Sequence, residues 1–239
     1  MVEMKFNGIS KSFFRILKDE ARPISPEIKR SVFTNANRHG YRVGKMLFGA
    51  RTWQEPFIIY SKNFEDLQKK KEELAEWLIH QDAKELIFSD ESDRVYLARI
   101  EGINPQEESA FYLKGIMTII CHDPFKYALV PEKITGLQID NKGKIETPCI
   151  INANFTAAAN EFRVRNTTSN KETRIIWNFI RNDRLEIDMS RRKILINGHL
   201  RMTAFDFRSQ MFSLLPGRNV LTSNVAAANI ETTYRERWK

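Results

Sequence analysis

Leu185-Glu186-Ile187-Asp188-Met189-Ser190-Arg191-Arg192-Lys193-Ile194-Leu195-Ile196-Asn197-Gly198-His199-Leu200-Arg201-Met202 reads as an antiparallel meander. Its first five residues alternate apolar and polar, Ser190-Arg191-Arg192 turns the chain, and Lys193 to Ile196 resumes the alternation. Asn197-Gly198 then supplies the strongest short hairpin signal, because both residues tolerate positive φ. A period of two gives each strand one buried and one solvated face, as in a sandwich. Such a segment encodes packing and no reaction centre, so function is expected in surfaces and assembly.

Strand candidates flank the meander at 134–139, 149–153, 162–165, 174–180, 211–215 and 227–238, with a tight corner at Leu215-Pro216-Gly217-Arg218-Asn219. Seven or more short strands in about a hundred residues, separated by turn residues, predict a β-sandwich. Its start is expected near residue 130. His122-Asp123-Pro124-Phe125 stops the preceding strand, since proline cannot donate to a ladder, and apolar density falls from Leu129 to Gly143. The sequence therefore divides into an N-terminal domain over 1–130 and a sandwich over 131–239.

The first domain mixes strands with one helix. Phe13 to Leu17 and Glu55 to Tyr60 read as extended, Arg22-Pro23-Ile24-Ser25-Pro26 is excluded from helix by its prolines, and Asn35 to Gly40 reads as a loop. Asn63 is a good N-cap, Glu65 and Asp66 complement the helix dipole, and Phe64, Leu67, Leu74, Ala75 and Leu78 share one side. This predicts a helix over about 63–80, with Lys71 interrupting the stripe where its stem covers apolar surface. Leu86-Ile87-Phe88 and Val95 to Ile100 form a hairpin around the polar loop 89–93. In the strand from Phe111 to Cys121, Ile116, Met117, Ile119 and Ile120 leave both faces apolar, as when a strand is covered on two sides.

A chain of 239 residues buries enough surface to fold without staples. Cys121 and Cys149 lie in no zinc or disulfide pattern. No secretory signal and no membrane-spanning run is present, so synthesis in a cytoplasm is expected, and the Asn154 and Asn166 sequons read as chance matches. The net charge of +8 is spread among 30 acidic residues, with short basic runs at 69–71 and 191–193, which reads as solvated faces and turns.

Catalytic constellations are missing from the pattern. His39, His80, His122 and His199 are scattered, and His122-Asp123 reads as a turn before proline. Gly40 to Lys45 lacks the full phosphate-loop spacing and no helix opens after it. Asp90 with Asp93 and Glu107 with Glu108 are paired acids in polar turns. Trp53, Trp177 and Trp238 read as core residues; in a sugar-binding alternative they would stack on glycans. No catalytic, cofactor-binding or metal-binding residue is assigned, and no cofactor is expected.

Six segments, in order, carry a family resemblance: Phe6-Asn7-Gly8-Ile9; Leu74-Ala75-Glu76-Trp77-Leu78; the hairpin Leu86 to Ala98; Cys121-His122-Asp123-Pro124-Phe125-Lys126-Tyr127; Leu185 to Gly198; and Leu215-Pro216-Gly217-Arg218-Asn219 before the closing Arg235-Glu236-Arg237-Trp238. Together they resemble the distal tail protein (Dit) family of long-tailed, non-contractile bacteriophages and prophages. The resemblance implies a mainly β chain: an N-terminal tail-tube-like β-barrel or split barrel with one long helix, and a C-terminal galectin-like β-sandwich. It implies a virion protein of the tail tip, or baseplate, with no enzymatic activity and no membrane insertion. The expected partners are itself in a homo-hexameric ring, the tail tube protein, the tail hub or tail-associated lysin, and a receptor-binding protein or fibre. DNA would pass through the lumen without sequence-specific binding, so the excess positive charge is expected away from the pore wall. Some members insert a carbohydrate-binding module in the second domain, for which this chain has no room. Two alternatives differ in class. A carbohydrate-binding module contacting host-surface glycans predicts a solvent-facing Trp in a shallow groove of the second domain, and a basic nucleic-acid binder predicts salt-sensitive retardation of DNA.

Overall fold

Alternate apolar positions lay down sheets in both halves of the chain, and one amphipathic helix closes the first of them. The computed structural model describes residues 2–17, 22–37 and 39–239. They form two units, one running to Leu129 and including Lys239, the other Val130–Trp238.

The first unit contains β1 (Met4–Phe6), β2 (Phe14–Ile16), β3 (Ile28–Thr34), β4 (Tyr41–Phe48), β5 (Arg51–Tyr60), α1 (Phe64–Leu78), β6 (Lys84–Phe88), β7 (Arg94–Glu108), β8 (Tyr112–Cys121) and β9 (Lys126–Ala128). One antiparallel sheet runs β1-β6-β7-β8-β5-β2, with β9 also paired to β7. Among the described residues its two ends share a single backbone bridge, Val2–Ile16, with N–H···O distances of 3.2 and 3.0 Å, beside an Arg15–Glu3 ion pair at 3.3 Å. The sheet thus curls round without laddering shut, giving a split barrel. Phe6, Phe14, Phe57, Ile59, Phe88, Met117 and Ile119 fill its inner face.

α1 covers that face with Leu67, Leu74, Trp77 and Leu78. Asn63 caps it, its side-chain oxygen accepting from the Asp66 N–H at 2.8 Å. Trp77 donates its indole N–H to the Phe6 carbonyl at 3.0 Å and meets Phe14 edge-on. The expected stripe changes at one place: Phe64, at the first helical position, is 58% exposed, and Trp77 takes the buried role. Lys71 reaches Glu108 at the end of β7 with Nζ 2.7 Å from the carboxylate. β7 is longer than the predicted 95–100 because register shifts at Ile100/Gly102 and Pro105/Glu107 accommodate a proline that lacks a ladder donor.

The second unit comprises β10 (Glu132–Thr135), β11 (Gln138–Asn141), β12 (Thr147–Phe155), β13 (Ala159–Asn166), β14 (Lys171–Phe179), β15 (Arg184–Asp188), β16 (Lys193–Ile196), β17 (His199–Leu200), β18 (Ser213–Leu214), β19 (Gly217–Ser223) and β20 (Ala228–Tyr234). Strands β10-β20-β12-β15-β16-β17 make one sheet, with β18 on β12, and β11-β19-β13-β14 make the other. Ile151, Ala153, Phe155, Leu185, Ile187 and Ile194 of the first face Phe162, Val164, Ile175, Phe179 and Leu221 of the second in one core. The Phe155 and Phe179 rings stack at 4.0 Å. This is a galectin-like β-sandwich. The predicted meander is present, and Asn197 and Gly198 both take positive φ, 52° and 79°.

Three strand predictions are corrected, and the first is 227–238, which is continuous only over Ala228–Tyr234 and breaks at 235–236. The run 134–139 is broken at Gly136, whose φ of 122° lets the chain cross from one sheet to the other. Of 211–215 only Ser213–Leu214 pairs, because the residues after it enter a corner tied to a buried amide. Asn219 receives the Leu215 N–H at 2.9 Å and the Asn166 amide at 3.2 Å, and donates to the carbonyls of Leu215 and Gly217 at 2.8 and 2.9 Å. Asn166 of the second sequon is fully buried in this network, whereas Asn154 of the first is exposed.

Replacing Asn219 by leucine keeps the branched shape but adds bulk, and it takes Asn219's bond from the Leu215 N–H, the Asn166 amide and the Gly217 carbonyl, while the Leu215 carbonyl keeps the Asn141 amide at 3.2 Å. Each orphaned buried group costs about 1–3 kcal/mol, so Asn219→Leu is expected to lower stability by at least about 3 kcal/mol, measured by urea denaturation.

Candidate assembly surface

A two-stranded sheet can bury neither face in itself, so its side chains depend on what lies around it. β3 and β4 form such a ribbon, paired from Ile28–Phe48 to Thr34–Tyr41 with one bulge between Arg30 and Val32. Every residue of β3 is exposed, as are six of the eight in β4. Yet its composition is that of a core strand. Ile28, Val32, Phe33, Tyr41, Val43, Met46 and Leu47 are all exposed, Phe33 at 60%, Tyr41 at 67% and Leu47 at 57%. Gly44 lies against the Phe33 ring, 3.0 Å from where its Cβ would stand, which lets that large side chain lie flat across the ribbon.

The root from which the ribbon leaves is tightly built. Arg51, 2% exposed, donates to the Pro23 carbonyl at 2.8 Å and the Pro124 carbonyl at 3.4 Å. Buried Glu55 accepts from Arg22 at 2.7 Å and from the Trp53 indole at 3.1 Å, and Arg22 also reaches Asp90 at 3.0 Å. The Arg22 guanidinium lies 3.6 Å from the centre of the Phe88 ring. Phe48 packs edge-on against Phe125, and Gly49 N–H bonds to the Glu27 carbonyl at 2.8 Å. Burial raises the Glu55 carboxyl above its ordinary range, and the bonds from Arg22 and Trp53 only partly offset that.

A second apolar group lies at the other end of β5. Ser61 N–H bonds to the Phe111 carbonyl at 2.8 Å, and around this link Tyr60, Phe64 and Phe111 are exposed, Phe111 at 66%. The second face of β8 is less open than its sequence suggested. Ile116 and Ile120 are half-buried among Pro56, Asn104, Thr52 and Arg99 on the flanking strands.

The residues weighed for chemistry do not converge. His39, His122 and His199 are exposed at separate places, and His80 bonds to the Trp77 carbonyl at 3.0 Å. Asp123 accepts from the Phe125 N–H and the Tyr127 hydroxyl, making the turn read from the sequence. Asp90 pairs with Arg22 and Asp93 with Arg94, Glu107 with Lys114 and Glu108 with Lys71, so each acid is an ion-pair partner. The hydrogen bond from Tyr112, then that from Lys114, hold Glu107 below the ordinary carboxylate range. Gly40 to Lys45 belongs to the ribbon's turn and β4. Trp53 is buried and Trp177 half-buried under the Arg201 guanidinium. Among the described residues no cluster of three His, Cys, Asp or Glu could hold a metal.

The ribbon itself was missed by the sequence reading, which saw only the loop 35–40; Arg38 of that loop lies outside the described residues. The signal was present as two β-branched, aromatic-rich runs flanking the loop.

Residues 6–121 match the family described as phage tail protein RIFT-related domain, and residues 142–238 match the siphovirus-type tail component, C-terminal domain. A split barrel with an uncovered ribbon, joined to a sandwich, is thus the architecture of a siphovirus tail component, a structural phage protein. The distal tail protein of Bacillus phage SPP1 is 27% identical over 179 residues, covering 71% of this chain and 70% of that protein. Its crystal structure, described as a paradigm of the hub adsorption apparatus of phages infecting Gram-positive bacteria, aligns over 100% of both chains with a TM-score of 0.86 and 20% identity. Chains of the phage P2 baseplate in its activated conformation, with calcium or strontium, align at TM-scores of 0.56 and 0.55 and 9% identity, covering 99% of this chain and 98% of theirs. The chain belongs to the distal tail protein family.

Because Glu55 binds its proton more tightly folded than unfolded, its contribution is fully present below about pH 4.5 and is lost as pH rises through its folded value. The stability of Glu55→Gln relative to wild type is therefore expected to improve between pH 4.5 and neutrality, read by urea denaturation at each pH. A difference that stays flat or moves the other way contradicts this account.

Proposed function

We propose that this protein closes into a homo-hexameric ring at the distal end of the tail tube, and that the β3–β4 ribbon is its principal ring-forming element. The observation that carries this reading is the ribbon's seven exposed apolar side chains on a rigid root. A ring needs head-to-tail contacts between two different patches of the same chain. The ribbon supplies one. The Tyr60, Phe64 and Phe111 group supplies a complementary apolar patch for a neighbouring subunit. A stable contact of this kind buries more than about 1,000 Å² in total, and an extended ribbon offers area on both of its faces.

In this reading the 1–130 domain forms the tube-like collar and the 131–239 sandwich is offered to partners. The ring links the tail tube to the hub or tail-associated lysin and to receptor-binding proteins or fibres, and DNA passes its lumen on ejection. The protein makes and breaks no bonds, and its place is the tail tip of the virion after synthesis in the host cytoplasm. Arg42 and Lys45 on β4 form no ion pair among the described residues. Their charge fits an outer or subunit-facing surface, with a pore wall that is neutral or acidic.

The purified full-length chain is expected to show a concentration-dependent hexamer by light scattering and a six-fold annulus by negative stain. Phe33→Asp combined with Leu47→Asp is expected to leave a folded monomer with an unchanged far-ultraviolet spectrum. A wild-type chain that stays monomeric at high concentration, or a double variant that still forms rings, overturns the reading.

A further inference from the structure

The outer face of the larger sandwich sheet, opposite the core, carries a trough of about 640 Å³ with a mostly polar floor. Its floor is a lattice set by strand register. Glu231, Asn152, Glu186 and Leu195 form one row across β20, β12, β15 and β16, and Asn229, Asn154 and Arg184 form the next. The side chains of all six polar residues make no hydrogen bond or ion pair with any described residue. Strand pairing thus brings three amides, two carboxylates and one guanidinium to one concave surface with their donors and acceptors unspent.

The rim is fixed before anything binds. Phe155 N–H bonds to the Asp183 carbonyl at 3.0 Å, and Asn182 N–H to the Phe155 carbonyl at 2.8 Å. Thr156 ties to the Ala227 carbonyl through both its N–H and its hydroxyl, each at 2.8 Å. Buried Asp183 accepts from the Ile180 N–H and the Asn197 amide at 2.9 and 2.8 Å, and Asn197 accepts from the Arg184 N–H at 2.9 Å. A ligand here would not bear the cost of ordering loops.

We propose that this trough binds a neutral oligosaccharide of two or three residues. A vicinal diol presents a donor and an acceptor side by side, which matches carboxylate and amide or guanidinium groups on adjacent strands about 4.8 Å apart. An anion is opposed by two carboxylates against one guanidinium. A single cation is excluded by geometry, because Glu186 and Glu231 flank Asn152 from opposite sides, two strand spacings or about 9.6 Å apart. A protein segment finds few apolar anchors, because Phe155 and Leu185 of the lining are buried in the core and Leu195 alone stands in the floor. No tryptophan lines the trough; Trp177 lies on β14 of the other sheet, so recognition through a stacked indole, the form expected from the sequence for a sugar-binding chain, is not the form found. Binding through hydrogen bonds alone is weak per site.

The test uses the full chain and an array of neutral oligosaccharides beside phosphorylated and uronic-acid counterparts of the same backbones. Hits are titrated to millimolar concentration while the side-chain amide resonances of Asn152, Asn154 and Asn229 are followed. The expected result is that neutral glycans shift those resonances, that Asn154→Ala and Arg184→Ala each weaken binding about tenfold without changing thermal stability, and that Glu172→Ala on the other sheet does not. Both substituted side chains are exposed and unpartnered, so folding is not at risk. No shift with any neutral glycan, preference for the anionic counterparts, or binding untouched by the trough variants overturns the proposal.

Discussion

Apolar side chains must be covered, and a ribbon two strands wide has nothing of its own to cover them with. That constraint organises the first unit. The β3–β4 ribbon keeps Phe33, Val43 and Leu47 in water, an arrangement that costs stability until a surface covers it. What the chain supplies is a closely bonded root: Arg51 ties Pro23, ahead of the ribbon, to the barrel, and the Arg22–Glu55–Asp90 group fixes the strand that follows it. A flexible apolar arm would collapse on its own barrel or associate without register. Held at a fixed exit, the same arm presents one geometry to a neighbour, which is what a closed ring demands of each of its contacts.

The second unit applies alternation to the opposite effect. Its strands bury Ile151, Ile187 and Ile230 inward, and on the outer face of the same strands stand Asn152, Glu186 and Glu231. That face is stable uncovered, since every polar group on it can reach water. One chain thus carries a surface that needs a protein partner to be dry and another whose natural competitor is solvent. Only the first can hold an assembly together by area; the second can discriminate, but only as well as its hydrogen bonds are placed.

How much of this could be read from the residues depended on how local the evidence was. The 185–202 meander was legible because alternation and turn chemistry agree within a few residues, and the helix because Asn63 and the stripe after it agree likewise. The ribbon was not, because strand recognition looked for one buried and one solvated face, and in β3 and β4 apolar residues occupy both. The stretch 134–139 looked continuous because Gly136 leaves alternation intact while turning the chain into another sheet. The trough was beyond reach for a different reason. Its rows assemble single residues from strands far apart in sequence, and nothing in Asn152 announces Glu231 until register brings them together. Asn219 marks the middle case: Pro216-Gly217 announced the corner, whereas the fourfold bonding that makes the asparagine irreplaceable appears only in three dimensions.

Cys121 and Cys149 are both buried, and burial raises each thiol to about 12. At neutral pH both therefore stay in the unreactive thiol form, and no disulfide joins them. For a structural phage protein in oxygenated surroundings, this is chemical shelf life for both sulfurs. Through its cysteines, at least, air finds no handle on the fold.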